Sequence, residues 1–353
     1  MNVLLTVSGD IPTEIEREAA AGIRPRPDYL VMAREFGADL LDYGAARRRT
    51  GRLGRGIERV AGARVMLAWA CFLSRRSHQV IVTDGEQIGL PLALLLRFFS
   101  RRRPRHLMIV HLMSVSKKAV LWRAFGLHRC VDILFVYAEA QQRFLIDELR
   151  VPKERVVLTP FMVDTNFFAP DKVTARTRRM ICSAGQEYRD YLTLCKAVDG
   201  LDVEVVIAAG SRWSKRPDLI RNYDVPSNVS ICTLDSADLR QLYADSLFVV
   251  MPLFDVDFQA GVTTILEAMA MGKAVVCSAT RGQTDVIVDG ENGRYVPPSD
   301  PSSLRAVIQE LLDKPSTLAS FGATARADAE RSFSVERYAT DLAFHVRRTT
   351  AQQ

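Results

Sequence analysis

Gly261-Val262-Thr263-Thr264 stands at the head of a helix-like run. It offers unpaired backbone N–H groups, two hydroxyls and the positive end of a helix dipole. A phosphate or diphosphate needs those features. Glu267 lies one turn further on. Its like charge excludes it as a phosphate ligand, but a carboxylate accepts hydrogen bonds from a ribose diol. Gln259, in the polar loop before the glycine, brings an amide within reach of a sugar hydroxyl. Phosphate seat, diol acceptor and polar loop together point to a nucleotide-sugar site. The plainer reading is an ordinary helix whose Thr263 and Glu267 satisfy its own first turn. The local spacing leaves both open.

The elements that hold these residues are a strand, a loop, a helix and a strand. Leu247–Pro252 is an apolar run of the length expected for a buried parallel strand. Asp255–Gly261 is the loop, and Thr263–Met271 has helical composition with Val262, Leu266 and Ala270 on one face. Gly272 ends the helix as a C′ glycine, and Ala274–Ser278 is the next buried strand. Ligands bind such sheets at the carboxyl ends of the strands.

Two further places share that logic. Met180–Ser183 reads as a strand, Tyr191–Val198 as a helix, and the loop between them begins at Gly185 and carries Arg189. A glycine there permits close phosphate approach, and Arg189 is the basic residue best placed to neutralise a diphosphate. Its alternative is a surface arginine paired with Glu187 or Asp190. Leu107–Val110 is another strand, with His111 at its carboxyl end, either a functional group or a structural hydrogen-bonder. Asp10, after the first strand Asn2–Val7, and Arg212 and Lys215, after the strand Glu204–Ala209, are lesser candidates.

LEAMAMGKAVVCS, followed by GQTDVIVDGENGRYVPPSDPSSL, resembles the donor-binding half of the family-4 glycosyltransferases. The resemblance implies an α/β GT-B fold, with two Rossmann-like domains facing across a cleft. It spans about Ile109 to Glu336 and is specific in the second half. In that family an E-x7-E motif ends in this helix; here it reads Q-x7-E, with Gln259 and Glu267 at its ends. The resemblance implies that Glu267 contacts the nucleotide ribose, that the Gly185 loop serves the pyrophosphate and that His111 approaches the donor sugar. It also implies retention of anomeric configuration and no bound metal. The expected domains are 1–160, facing the acceptor, and 161–333, binding the donor, with helix 334–353 returning to the first.

The chain has 353 residues, 48% hydrophobic and 25% charged, as expected for a folded protein of two domains. A net charge of +6 favours anionic partners. The six cysteines show no C-x-x-C pairing and read as buried thiols in a reducing compartment. No signal peptide, repeat, metal-ligand cluster or bilayer-length apolar run is visible, so the expected location is cytoplasmic. Arg97, Arg101, Arg102, Arg103 and Arg105 surround Phe98 and Phe99, which suggests peripheral contact with an anionic membrane. Nucleic acid ranks lower as a partner, because no nucleic-acid-binding motif is present.

These observations lead to a glycosyltransferase that takes its sugar from a nucleoside diphosphate donor, with no cofactor. The acceptor, the sugar and the base are not legible. The rivals are a sugar-nucleotide epimerase of the same fold and a non-catalytic partner subunit, the latter favoured by Gln259 in place of glutamate.

Overall fold

Short apolar runs alternate with helices along the chain, and the runs form two six-stranded sheets in which every pairing between strands is parallel. The computed structural model describes residues 2–100, 102–113, 116–176, 178–209 and 225–351. The strands of the first sheet are β1 (Val3–Thr6), β2 (Ala38–Leu41), β3 (Val80–Asp84), β4 (Arg105–Val110), β5 (Ile133–Val136) and β6 (Val156–Leu158). They lie in the order β2-β1-β3-β4-β5-β6. The second sheet holds β7 (Met180–Ala184), β8 (Glu204–Ala208), β9 (Val229–Cys232), β10 (Val249–Met251), β11 (Val275–Ser278) and β12 (Gly293–Val296). Their order is β12-β11-β10-β7-β8-β9. Central strands such as β1, β5, β7 and β11 are buried on both faces, which is why they read as continuous apolar runs rather than as alternation.

The helices of the first half are α1 (Ile15–Ala20), α2 (Asp28–Phe36), α3 (Tyr43–Ala61), α4 (Ala63–Ser74), α5 (Glu86–Phe99), α6 (Ser116–Ala124) and α7 (Glu139–Arg143). Those of the second are α8 (Tyr191–Val198), α9 (Ser236–Asp245), α10 (Val262–Ala270), α11 (Pro301–Leu312), α12 (Pro315–Ser332) and α13 (Val335–Ala351). Tyr29–Met32, four apolar-rich residues suited to a short strand, instead sit inside α2; Leu30, Met32 and Phe36 are buried while Arg34 reaches Glu16. An apolar helix over 57–74 is broken at Gly62, whose backbone (φ 90°, ψ 162°) ends α3 and starts α4.

The chain forms two units. One comprises residues 1–16, 27–160 and 336–353; the other comprises 17–26 and 161–335. Residues 17–26 therefore depart from a single boundary at 160. The Arg26 guanidinium and backbone N–H both bind the Asp164 carboxylate, at 3.0 Å through Nε and 2.8 Å through N. Burial opposes that charge, but Arg26 outweighs it and holds Asp164 below the usual carboxylate range. In the second unit Val163 bridges to the strand-like return at Ser334, with Val163 N donating to Phe333 O at 2.8 Å. Within the first unit, Tyr338 of α13 meets Tyr137 hydroxyl to hydroxyl at 3.3 Å.

Candidate functional site

Strand order in the second sheet reverses between β7 and β10, because the chain leaves β7 toward β8 and β9 and later returns on the other side. A crevice at such a reversal is where doubly wound sheets bind ligands. The loops that follow β7 and β10 are fastened to each other there. Asp190 N donates to Pro252 O at 2.9 Å and Phe254 N to Tyr188 O at 3.1 Å. The loop after β10 is in turn held by the loop after β11, where Gly282 N donates to Val256 O at 2.9 Å. A Cβ on Gly282 would fall 2.2 Å from Phe258 N and 2.4 Å from its carbonyl carbon. Gly282→Ala should therefore destabilise the protein by about 2 kcal/mol or more, because backbone has to move. Thermal denaturation would show it as a clear fall in Tm.

α8, α9 and α11 each begin at an aspartate, Asp190, Asp235 and Asp300, whose carboxylate accepts first-turn N–H groups. α10 does not. Its N-cap is Gly261, in the left-handed region at φ 78°, with no side-chain cap. The first hydrogen bond back into the helix is Ile265 N to Gly261 O at 3.1 Å. The N–H groups of Gly261, Val262, Thr263 and Thr264 find no acceptor among the described residues. The reading in which Thr263 and Glu267 cap their own helix thus fails on geometry.

A cation sits beside this uncapped end. Arg189 is 8% exposed. Its Nε donates to Ala184 O at 3.0 Å and Nη1 to Glu187 O at 2.7 Å; Nη2 lies 3.5 Å from Thr264 Oγ1. It forms no ion pair among the described residues, and the surface pairing with Glu187 or Asp190 is not observed. Asp190 is engaged instead as the cap of α8. Burial pulls the guanidinium below its ordinary pKa, opposed by Tyr191, Cys277, Tyr243 and, last among them, the Glu187 carboxylate. A buried guanidinium facing the positive end of a helix has every electrostatic reason to attract an anion.

The two glycines have a different part from the expected one. Gly185 N is engaged with Ala208 O at 3.0 Å, so it offers a ligand no donor. A Cβ there would lie 2.5 Å from Arg189 Nη2, and one on Gly261 would lie 3.4 Å from Arg189 Cζ. Both glycines make room for the arginine. Gly185 thus adds no N–H donor of its own, whereas Gly261 keeps its open N–H.

Glu267 is half-buried, and Tyr243, wholly buried, donates its hydroxyl to Oε2 at 2.9 Å. Its other oxygen has no partner among the described residues. Burial pushes the Glu267 carboxyl up to about 7, against the lowering effect of Tyr243 and Arg189. Gln259 has a buried amide oxygen with no hydrogen-bond partner. The same is true of Ser183 Oγ, Thr280 Oγ1, Gln283 Oε1 and Tyr295 OH, all on or just beyond the carboxyl ends of β7, β11 and β12. Each orphan costs about 1–3 kcal/mol unless a ligand or water meets it. Thr280, Gln283 and Tyr295 were not singled out by sequence; their types are ordinary, and only the sheet edge brings them together. Arg212 and Lys215 lie outside the described residues.

His111 belongs to the first unit, at the carboxyl end of β4. Its Nε2 is 2.9 Å from Asp84 Oδ1, and the ring leans on Tyr137 at 5.5 Å between centroids. Glu86, buried at the start of α5 and paired with Lys118 at 2.6 Å, accepts the His111 N–H at 2.9 Å and fixes the backbone. Burial lowers the imidazole pKa, but Asp84, Glu86 and Asp28 outweigh it and hold it above its ordinary value. Asp28, at the start of α2, is pushed up to about 6 by burial and the neighbouring Asp84. Asp10 is paired with Arg47 at 3.0 Å. Among the described residues no group of three or more His, Cys, Asp or Glu side chains is placed to hold a metal ion. All six cysteines are free thiols, five of them buried and Cys232 half-buried.

Residues 183–314, which include this whole helix-and-loop assembly of the second unit, match the family model for glycosyl transferases group 1. Solved structures agree on the fold. Sucrose-phosphate synthase from Thermosynechococcus elongatus aligns over all of both chains with a TM-score of 0.71 at 18% identity. Anabaena HepE in complex with UDP and glucose aligns over 98% of this chain and 99% of its own, with a TM-score of 0.70 at 15% identity. An exopolysaccharide phosphotransferase of Streptomyces coelicolor is 24% identical over 209 residues, 57% of this chain and 22% of that protein. The chain thus aligns with about a fifth of that relative's length. The fold is the GT-B fold seen in glycosyltransferases, and residues 183–314 are similar to the group 1 family model.

Proposed function

We propose that the protein is a glycosyltransferase that moves a hexose-type sugar from a nucleoside diphosphate donor to an acceptor hydroxyl. One observation carries the reading: a buried arginine without a counter-ion, Arg189, beside the uncapped start of α10. The donor's diphosphate supplies the missing anion. It rests on the N–H groups of Gly261, Val262, Thr263 and Thr264, with Glu267 accepting the ribose diol through its open oxygen. Gln259 positions the sugar. As the bond to the anomeric carbon breaks, charge develops on the leaving diphosphate. Arg189 and the helix start stabilise it where it forms, already fixed before the reaction.

Retention belongs to this proposal, by attack on the face from which the diphosphate departs. The positive charge the leaving group needs is supplied by the chain itself, so the scheme routes no step through a metal or an organic cofactor. The HepE complexes with UDP and with UDP-glucose make uridine diphosphate sugars the first donors to test. The polysaccharide-related name of the Streptomyces relative makes a growing glycan the first acceptor class.

The experiment is an assay of diphosphate release from UDP-sugars with and without glycan acceptors. Product formation that requires an acceptor, with an α-linked product from an α-linked donor by NMR, is expected. Conversion of the donor to an isomeric nucleotide sugar without acceptor, and with no net diphosphate release, would point to the epimerase. Donor binding without turnover across acceptors would point to the non-catalytic subunit that the Gln259 substitution favours.

A further inference from the structure

In a parallel sheet covered by helices, the helices run back against the strands. The carboxyl ends of α4 and α5 therefore lie at the amino edge of the first sheet, at the opposite end of its strands from Asp84 and His111. Three aromatic side chains stand in solvent here. Phe98 and Phe99, the last residues of α5, are 59% and 69% exposed, and Phe125, just after α6, is 43% exposed. Phe125 does not join the buried Trp122 in the core. Instead its ring meets Phe98 edge to face, with centroids 6.0 Å apart.

The surroundings are cationic. Arg76, Arg97 and Arg102 are exposed and have no carboxylate partner among the described residues. A basin of about 700 Å³ is lined by Arg75, Arg76, His78, Phe99, Arg102 and Arg103. The acids that touch its lining are already engaged, Asp39 by His78 at 3.2 Å and Asp132 by Arg103 and Arg105. Two arginines of the expected membrane-facing run, Arg103 and Arg105, are thus turned inward to an acid, and Arg101 lies outside the described residues. Arg97 and Arg102 remain free.

Cations at helix carboxyl ends complement the dipole and need no further cause. Three exposed phenylalanines among them do. A second copy of the chain is a poor occupant, because the apolar centre would bring two rings of like charge together. An anionic lipid surface suits both parts, since aromatic rings enter the headgroup region while guanidinium groups meet lipid phosphates. We propose that the amino edge of the first sheet docks on an anionic lipid surface, with Phe98, Phe99 and Phe125 entering the headgroup layer and Arg76, Arg97 and Arg102 on the phosphates. No helix among the described residues is long and apolar enough to cross a membrane.

Co-sedimentation of the full chain with vesicles of phosphatidylglycerol and phosphatidylcholine, against vesicles of phosphatidylcholine alone, tests this. The wild type should bind the anionic vesicles and largely ignore the neutral ones. Phe98→Ser with Phe99→Ser leaves net charge unchanged and should lower the partition about tenfold or more. Arg97→Gln with Arg102→Gln should lower it too and flatten its salt dependence. Circular dichroism confirms that both variants fold. A phenylalanine variant that binds as the wild type does would overturn the proposal. So would a wild type indifferent to anionic vesicles, one that prefers duplex DNA to them, or a dimer that the phenylalanine variant dissolves. None of these readouts involves a nucleotide, so they stand or fall apart from the sugar-transfer reading.

Discussion

Replacing Arg189 with methionine is expected to weaken binding of a nucleoside diphosphate by about 100-fold or more, with only a modest change in Tm. In the empty protein the guanidinium is buried, without a counter-ion, and close to the positive end of α10. Methionine removes that cost but leaves the Ala184 and Glu187 carbonyls without their Arg189 donors, so gain and loss, each about 1–3 kcal/mol, largely offset. With a diphosphate bound, the same group makes charge-assisted hydrogen bonds worth about 1.5–3 kcal/mol each. Losing them lowers affinity about 100-fold for every 2.7 kcal/mol. Calorimetric titration and thermal denaturation on the same variant would check both. A structural arginine would show the reverse pattern, with a large fall in Tm and little change in affinity.

Donor affinity is expected to rise with pH across the neutral range, by up to about tenfold per unit below the Glu267 pKa, and to become flat in Glu267→Gln. Burial pushes this carboxyl up to about 7, so at pH 6 the empty site holds it mostly protonated. A ribose diol donates hydrogen bonds and so favours the carboxylate. Binding therefore releases a proton when the site starts protonated. The stability effect has the opposite sign. A folded-state pKa above the ordinary 4.5 means that Glu267 contributes most below that value and that the contribution is lost as pH rises through about 7. Glu267→Gln should accordingly gain relative stability at pH 8. Titrations at pH 6, 7 and 8, in two buffers of different ionisation enthalpy, would measure the proton release.

Much of this site was legible because its signals are local. The strand, loop, helix and strand around α10 follow from two apolar runs, a polar interval and Gly272, whose φ of 66° is the turn that a C′ glycine provides. α8 follows from Asp190 and a periodic run. The failures are non-local. Arg189 reads as a loop cation, and only the pairing of the loops after β7 and β10 shows it buried between Gly185 and Gly261. Sequence marks Gly185 as a place where a phosphate can approach closely, but cannot show its N–H bound to Ala208. Tyr29–Met32 is too short a run for period to separate strand from helix, and the Asp28 start and Gly37 end of α2 decide it. The acidic setting of His111 depends on β3 lying beside β4 and on the start of α2, a matter of topology.

The most direct test compares nucleoside diphosphates with their parent nucleosides. UDP, GDP, ADP and dTDP would each be titrated into the wild type and Arg189→Met, alongside uridine, guanosine, adenosine and thymidine. At least one diphosphate should bind about 100-fold or more tightly than its nucleoside, and that advantage should vanish in the variant. Equal affinity for diphosphate and nucleoside, or no binding of any diphosphate, would contradict the assignment of the α10 start as a diphosphate seat.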